Sequence, residues 1–298
     1  MTLPGRLPAG DMYPAGEQDV RARFIRTASG IRVRVVEAGS PSAPPVVLVP
    51  GWACTAWIYR DTLPALAAAG FRAIAVELKG LGLSDKPSSP AEYTLEAMRD
   101  NLVAVLDALS IGAAGLVGHS MGAPIAVEAA ILEPDRVTGV ALVAPVGFAG
   151  VRGMGLFRAL TPAVAIPALP YLASRFVVRT MLRVAYGDRH RPTDRDVDEL
   201  RAPTQFPEYT RALRHLLHSF DWEVPFPRLE VPHMVIAGSK DHLSPARDAD
   251  RYAGDHPVLV VEGAGHVLFS ESPEPVNSAL ISFFRSPRRP GYISSQNE

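Results

Sequence analysis

The sequence predicts a doubly wound, mostly parallel α/β sheet of eight strands with a helical lid inserted after the sixth. Three observations carry this. Short continuous apolar runs recur along the chain, separated by stretches with helical spacing. That alternation breaks once, from about residue 147 to 227, and then resumes. Between one apolar run and one helical run stands Gly118-His119-Ser120-Met121-Gly122, a turn in which glycines flank a serine.

The elements follow in order. Residues 20–27 and 31–37 alternate arginine with apolar side chains around Ala28-Ser29-Gly30, predicting an antiparallel hairpin with one wet face. Residues 46–49, Val-Val-Leu-Val, form a run suited to a strand buried on both faces. A helix is expected from about Trp57 to Ala69, stopping at Gly70, with the next buried strand at 73–76. Leu95, Met98, Leu102, Val105 and Leu109 carry helical spacing. Leu116-Val117 leads into the glycine-flanked serine, and residues 123–130 read as the helix after it. A strand at Val137–Val143 precedes the break. The broken section holds a proline-interrupted apolar run from 156 to 172, a charged stretch from 186 to 199 and a helix from 209 to 220. Strand 233–237, a helix near 246–252, strand Val258–Val261 and a helix near 273–284 complete the pattern.

Four segments follow: an N-terminal extension (1–19), a core in two pieces (20–146 and 228–285), a lid (147–227) and a flexible tail (286–298). With 298 residues, the chain is long enough for a substantial core. Hydrophobic residues make up 47% and charged residues 20%, as in a soluble globular protein. A net charge of −1 gives no electrostatic case for nucleic acid or an acidic membrane. The single cysteine, Cys54, excludes an internal disulfide and fits a reducing compartment, so a cytoplasmic location is expected. Residues 1–16 lack the apolar centre of a secretory signal, and the 159–174 run is too short and proline-broken to cross a membrane.

A serine in Gly-x-Ser-x-Gly between strand and helix sits on a sharp turn, and its hydroxyl stands clear of the sheet. The hydroxyl is a poor nucleophile unless a base lies within hydrogen-bond reach, itself oriented by an acid. Asp241 follows the strand at 233–237, where sites form in open α/β sheets. His266 follows the last strand in Gly263-Ala264-Gly265-His266. Asp241 also suits a helix start before Pro245, so a capping role competes with the catalytic one.

On these motifs the chain resembles the α/β-hydrolase superfamily, in the lid-bearing branch of esterases, lipases, carbon–carbon hydrolases and haloperoxidase-like enzymes, over about residues 20–284. The resemblance implies Ser120 as nucleophile, His266 as base and then acid, and Asp241 as the orienting carboxylate. It also implies an oxyanion hole made by the backbone N–H groups of Met121 and Trp52. Two positions depart from the family pattern. Pro50 stands where the family has histidine before Gly51-Trp52. Glu77-Leu78-Lys79-Gly80-Leu81-Gly82-Leu83-Ser84 has Glu for Asp and Lys for Arg. The oxyanion loop must therefore be braced from elsewhere.

The resulting expectation is a serine hydrolase that cleaves carboxylic esters through an acyl-enzyme, acting on a hydrophobic small molecule. It would need no cofactor and no metal. A carbon–carbon hydrolase or perhydrolase with the same triad is the alternative, and a ligand receptor on the same scaffold is a second. Serine at the elbow argues against haloalkane dehalogenase and soluble epoxide hydrolase relatives, which use aspartate there. His119 is read as structural or pocket-lining, His242 as an exposed residue or one standing behind the triad rather than as the base, and Cys54 as a small apolar residue. His215 and His218 are read as ordinary helix-surface residues, since no third ligand has metal spacing. Trp52 and Trp57 are read as core or pocket wall. The alcohol and acyl groups and the oligomeric state stay open.

Overall fold

The computed structural model describes residues 5–148, 154–165, 171, 173–188 and 191–286. The expected tail beyond Ser286, and parts of the apolar run at 156–172, lie outside the described residues. In chain order the elements are β1 (Val20–Arg26), β2 (Arg32–Ala38), β3 (Pro45–Val49), α1 (Thr62–Ala68), β4 (Arg72–Glu77), α2 (Leu95–Ala108), β5 (Ala114–His119), α3 (Gly122–Leu132) and β6 (Val137–Val143). The insertion follows, with α4 (Met154–Ala159), α5 (Arg175–Ala185), α6 (Asp194–Arg201) and α7 (Pro207–Ser219). The chain then returns through β7 (His233–Gly238), α8 (Ala249–Ala253), β8 (Val258–Val261), α9 (Leu268–Glu271) and α10 (Pro273–Arg285).

All eight strands join one sheet in the order β1-β2-β4-β3-β5-β6-β7-β8. The β1–β2 and β2–β4 pairings are antiparallel, and every other pairing is parallel. The central strands β3, β5 and β6 are mostly apolar because both faces are covered, with Thr138 near the start of β6 exposed. Val47, Val49, Leu116, Val140 and Leu142 face a core shared with α2, α3 and α8, while Val46, Leu48, Val117, Ala141 and Val143 face one shared with α1, α9 and α10. Parallel pairing brings the carboxyl ends of β3, β5, β6, β7 and β8 to one edge, where the loops carrying Trp52, Ser120, Asp241 and His266 emerge.

Two local expectations need correction. The helix expected over 57–69 is a 3-10 turn at Ala56–Tyr59 followed by α1. A continuous helix would drive the ring of Pro64 into the carbonyl of Arg60, so the helix restarts at Thr62. The hairpin's wet face is real on the edge strand β1, where four consecutive residues are exposed. On β2, however, Arg34 is buried and paired with Glu77.

The N-terminal segment lies along the insertion. Tyr13 donates its N–H to Glu199 Oε1 at 2.8 Å, and Arg195 donates to the Asp11 carbonyl at 2.7 Å. Gln205 Nε2 reaches the Leu7 carbonyl at 3.0 Å, and Arg6 Nε reaches Thr204 Oγ1 at 2.8 Å. Among the described residues, no helix is long and apolar enough to cross a membrane.

Candidate active site

Ser120 occupies the turn between β5 and α3 with φ +53°, a left-handed conformation that is costly for a residue with a Cβ. The turn holds because its surroundings leave no slack. A Cβ on Gly118 would stand 2.6 Å from Ala123 Cα, and one on Gly122 would stand 2.2 Å from the Val49 carbonyl oxygen. The backbone of Ser120 is pinned as well, with its N–H on Val143 O at 3.1 Å and its carbonyl accepting from Ala123 at 2.9 Å. The side chain is nearly buried, at 8% exposure.

His266 and Asp241 converge on this hydroxyl. His266 Nε2 lies 2.9 Å from Ser120 Oγ, and His266 Nδ1 lies 2.8 Å from Asp241 Oδ2. The competing roles read for Asp241 fall on different oxygens. Oδ2 meets the histidine, while Oδ1 caps the following turn by accepting the N–H groups of Leu243 at 2.8 Å and Ser244 at 2.9 Å. Burial alone would raise this carboxyl, but the adjacent His266 and the N–H donors outweigh it and hold Asp241 below the usual carboxylate range. A carboxylate kept ionised beside the ring steadies one tautomer, leaving Nε2 free to take a proton from a hydroxyl.

The Gly51–Trp52 loop borders the same hydroxyl. A Cβ on Gly51 would come within 2.8 Å of Ser120 Cβ and 3.3 Å of its Oγ, so only glycine admits this approach. Met121 caps α3, and an N–H in the first turn of a helix has no acceptor inside that helix. Anionic oxygen is favoured at such an end. Trp52 sends its indole N–H to the Leu213 carbonyl on α7 at 2.9 Å, and Trp57 sends its own to Asp196 Oδ1 on α6 at 2.7 Å. Both tryptophans thus bind the sheet edge to the insertion rather than serving as plain core.

The Pro50 loop is braced by the Tyr209 hydroxyl, which donates to the Ala53 carbonyl at 3.2 Å, and just beyond the loop by Glu77. Glu77 Oε1 accepts the N–H of Ala56 at 3.1 Å and Arg34 Nη1 at 3.0 Å, and its Oε2 accepts the N–H of Leu83 at 2.7 Å. Gly82, at φ +46°, passes so close that a Cβ there would fall 2.0 Å from Glu77 Oε2. Ser84 donates its hydroxyl to the Glu77 carbonyl and accepts the Arg34 N–H at 2.8 Å.

His119 is structural in a definite way. Its Nε2 lies 3.0 Å from the His266 carbonyl, which can only accept, so Nε2 carries the proton. Burial first, then the neighbouring His266, pushes His119 down to about 3, which keeps it neutral. Burial pushes the Cys54 thiol up to about 12, away from the thiolate. His242 is exposed. His215 and His218 are not plain surface residues. His215 stacks on Tyr93 with ring centroids 5.5 Å apart, and His218 Nε2 lies 3.1 Å from Thr161 Oγ1. Among the described residues no group of three or more His, Cys, Asp or Glu is arranged to hold a metal.

Glu271 escaped the sequence reading. It lies five residues after His266 in an apolar and small-residue run, which was the one available signal. Its side chain accepts the N–H groups of Gly265 and Val267 at 2.9 and 3.0 Å, on either side of the histidine, and that of Gly187 at 2.6 Å.

A family profile described as alpha/beta hydrolase fold matches residues 44–273. This chain belongs to that family. The coarse chemistry of this hydrolase is therefore hydrolysis. Among its relatives is Epoxide hydrolase A of Mycobacterium tuberculosis, 30% identical, with the match covering 88% of this chain and 96% of that protein. Among solved structures, Epoxide Hydrolase A from Mycobacterium thermoresistibile has a TM-score of 0.73 at 27% identity, covering 91% of this chain and 99% of that one. A serine hydrolase involved in carbazole degradation also has a TM-score of 0.73. Its identity is 22%, over 89% of this chain and 99% of its own, and at that level the likeness speaks for the fold.

Proposed function

We propose that this hydrolase cleaves carboxylic esters of small hydrophobic molecules through an acyl-enzyme on Ser120. The observation that carries the reading is the continuous hydrogen-bonded line from Ser120 Oγ to His266 Nε2 and from His266 Nδ1 to Asp241 Oδ2, at 2.9 and 2.8 Å. In this reading His266 takes the Ser120 proton as the oxygen attacks the ester carbonyl. The tetrahedral oxyanion accepts the N–H groups of Met121 and Trp52. His266 then protonates the leaving alcohol, and a water it activates frees the acid. Asp241 holds the ring and offsets the charge of the imidazolium. Such a route calls for no metal or organic cofactor. Residues 147–227 act as the lid over a core of 20–146 and 228–285, with 1–19 as an N-terminal extension of which Arg6, Leu7, Asp11 and Tyr13 bond to the lid. The hydrogen bonds from Trp52 and Trp57 to α7 and α6 support that division.

Epoxide hydrolysis is the second reading, favoured by the names of two relatives. The nucleophile weighs against it. A carboxylate opening an epoxide leaves an ester, which water can cleave. A serine alkoxide would leave an ether, which a histidine-activated water cannot. Epoxide turnover here would need His266 to drive water directly onto the ring, with Ser120 dispensable.

The test is steady-state hydrolysis of p-nitrophenyl esters of increasing acyl length and of styrene oxide, by wild type and Ser120→Ala. Ester turnover that vanishes in the variant supports the acyl-enzyme. Epoxide turnover that survives Ser120→Ala replaces it with the second reading.

A further inference from the structure

The loop that carries His266 is tied to the insertion by its main chain. The His266 N–H donates to the Ala185 carbonyl at the end of α5 at 2.7 Å, and the Asp188 N–H donates to the Gly263 carbonyl at 2.9 Å. The two segments meet backbone to backbone. A Cβ on Gly187 would stand 2.5 Å from the Gly263 oxygen, and one on Gly265 would stand 2.4 Å from the Gly187 nitrogen. At the centre of this seam is Glu271, only 7% exposed. Its Oε2 takes the N–H groups of Gly265 and Gly187, and its Oε1 takes that of Val267.

Three main-chain donors on one buried carboxylate need an acceptor with two full oxygens. Two of these donors flank His266 and the third belongs to the insertion. Moving α5 therefore disturbs the same carboxylate that fixes the histidine loop. None of these contacts reaches the reacting hydroxyl, so Glu271 acts on His266 through the main chain and not on the nucleophile.

We propose that Glu271 is the positioning residue of His266 and that, through Gly187, it makes the alignment of His266 depend on the docking of the insertion. The inference about catalysis rests on the ester-hydrolase reading above. The inference about geometry does not.

The experiment compares wild type, Glu271→Gln and Glu271→Asp by two readouts. One is the low-field proton resonance of His266 Nδ1–H in its bond to Asp241, identified by its loss in His266→Ala. The other is kcat and KM on a p-nitrophenyl ester. A glutamine puts an N–H₂ group against backbone donors, and an aspartate falls short by one methylene. In both variants we expect the resonance to shift or broaden, and kcat to fall by about 10- to 100-fold with KM within about twofold, the size of loss that ångström-scale misplacement causes. A resonance and a kcat unchanged in folded Glu271→Gln overturn the proposal. If the Glu271 variants do not fold, Gly187→Ala breaks the seam from the insertion side and leaves the carboxylate in place. The same shift and a selective fall in kcat support the proposal there, and wild-type values overturn it. A wild type that shows the resonance but turns over no ester removes the ester reading and leaves the resonance comparison to decide the positioning role.

Discussion

Arg34 and Glu77 form an ion pair at 3.0 Å with side chains 5% and 0% exposed, underneath the loops after β3 and β4. The acid that replaces the family's aspartate is longer by one methylene, and its two oxygens reach Ala56 and Leu83 as well as the arginine. Removing one member of a buried pair strands the other charge. Glu77→Ala is expected to lower stability by about 3–5 kcal/mol. Urea unfolding checks it, and a loss below about 1 kcal/mol would mean that Glu77 braces nothing.

Ser120→Ala is expected to reduce ester hydrolysis to the level of the residual oxyanion hole while the folded state survives. Alanine inherits the same left-handed backbone, so its melting temperature stays within a few degrees of wild type, about 1 kcal/mol at this chain length. Full ester hydrolysis by the alanine variant would remove Ser120 from the mechanism.

Asp241→Asn exchanges a carboxylate oxygen at His266 Nδ1 for an amide and selects the wrong tautomer. We expect a loss in kcat on the order of 10⁴-fold, as in the studied case of such a change. Asp248 lies in the 3-10 turn after Pro245, with its N–H on the Pro245 carbonyl at 2.9 Å, and Asp248→Asn should stay within about twofold, as surface changes do. Equal losses would dismiss Asp241 as the acid. A second consequence concerns pH. The Asp241 carboxyl is lowered on folding from 3.8, so the stability it contributes is present above that pH and lost as pH falls through the folded value. The stability gap between wild type and Asp241→Asn should therefore close in acid.

His119 gives the opposite kind of group with the same direction in pH. It stays neutral in the fold down to about 3, whereas the unfolded chain protonates it near 6.5. Its share of stability falls as pH drops from 6.5 towards 3, with a slope of up to about 1.4 kcal/mol per pH unit. His119→Gln keeps a donor for the His266 carbonyl and cannot titrate. Chemical unfolding between those limits should show a flatter curve for the variant, and parallel curves would contradict a buried neutral His119.

The glycines of the elbow make a contrast with an ordinary one. Gly122→Ala would put a Cβ 2.2 Å from the Val49 oxygen, whereas Gly112 has nothing within 4 Å. Gly122→Ala should cost more than about 3 kcal/mol or prevent folding, while Gly112→Ala should be neutral or stabilising by about 0.4–1 kcal/mol. Thermal melts of the two variants decide it.

The sequence by itself determined the sheet, the strand order in the chain and the elbow. A strand covered on both faces must be apolar without interruption, and a turn as tight as that at Ser120 leaves glycine as the fitting neighbour. Those are local constraints, written in consecutive residues. The chain order Ser120, Asp241, His266 was legible for the same reason, since each follows a recognisable strand. Only the tertiary structure decided how polar groups far apart in the chain pair with one another. Ser120 and His266 are 146 residues apart, and Arg34 and Glu77 are 43. Glu271 and Glu77 bind mostly to backbone N–H groups, and side chains of the insertion bind the backbone of the N-terminal segment. Every residue but proline offers both, so such contacts leave no periodicity and no motif, and folding alone brings the partners together.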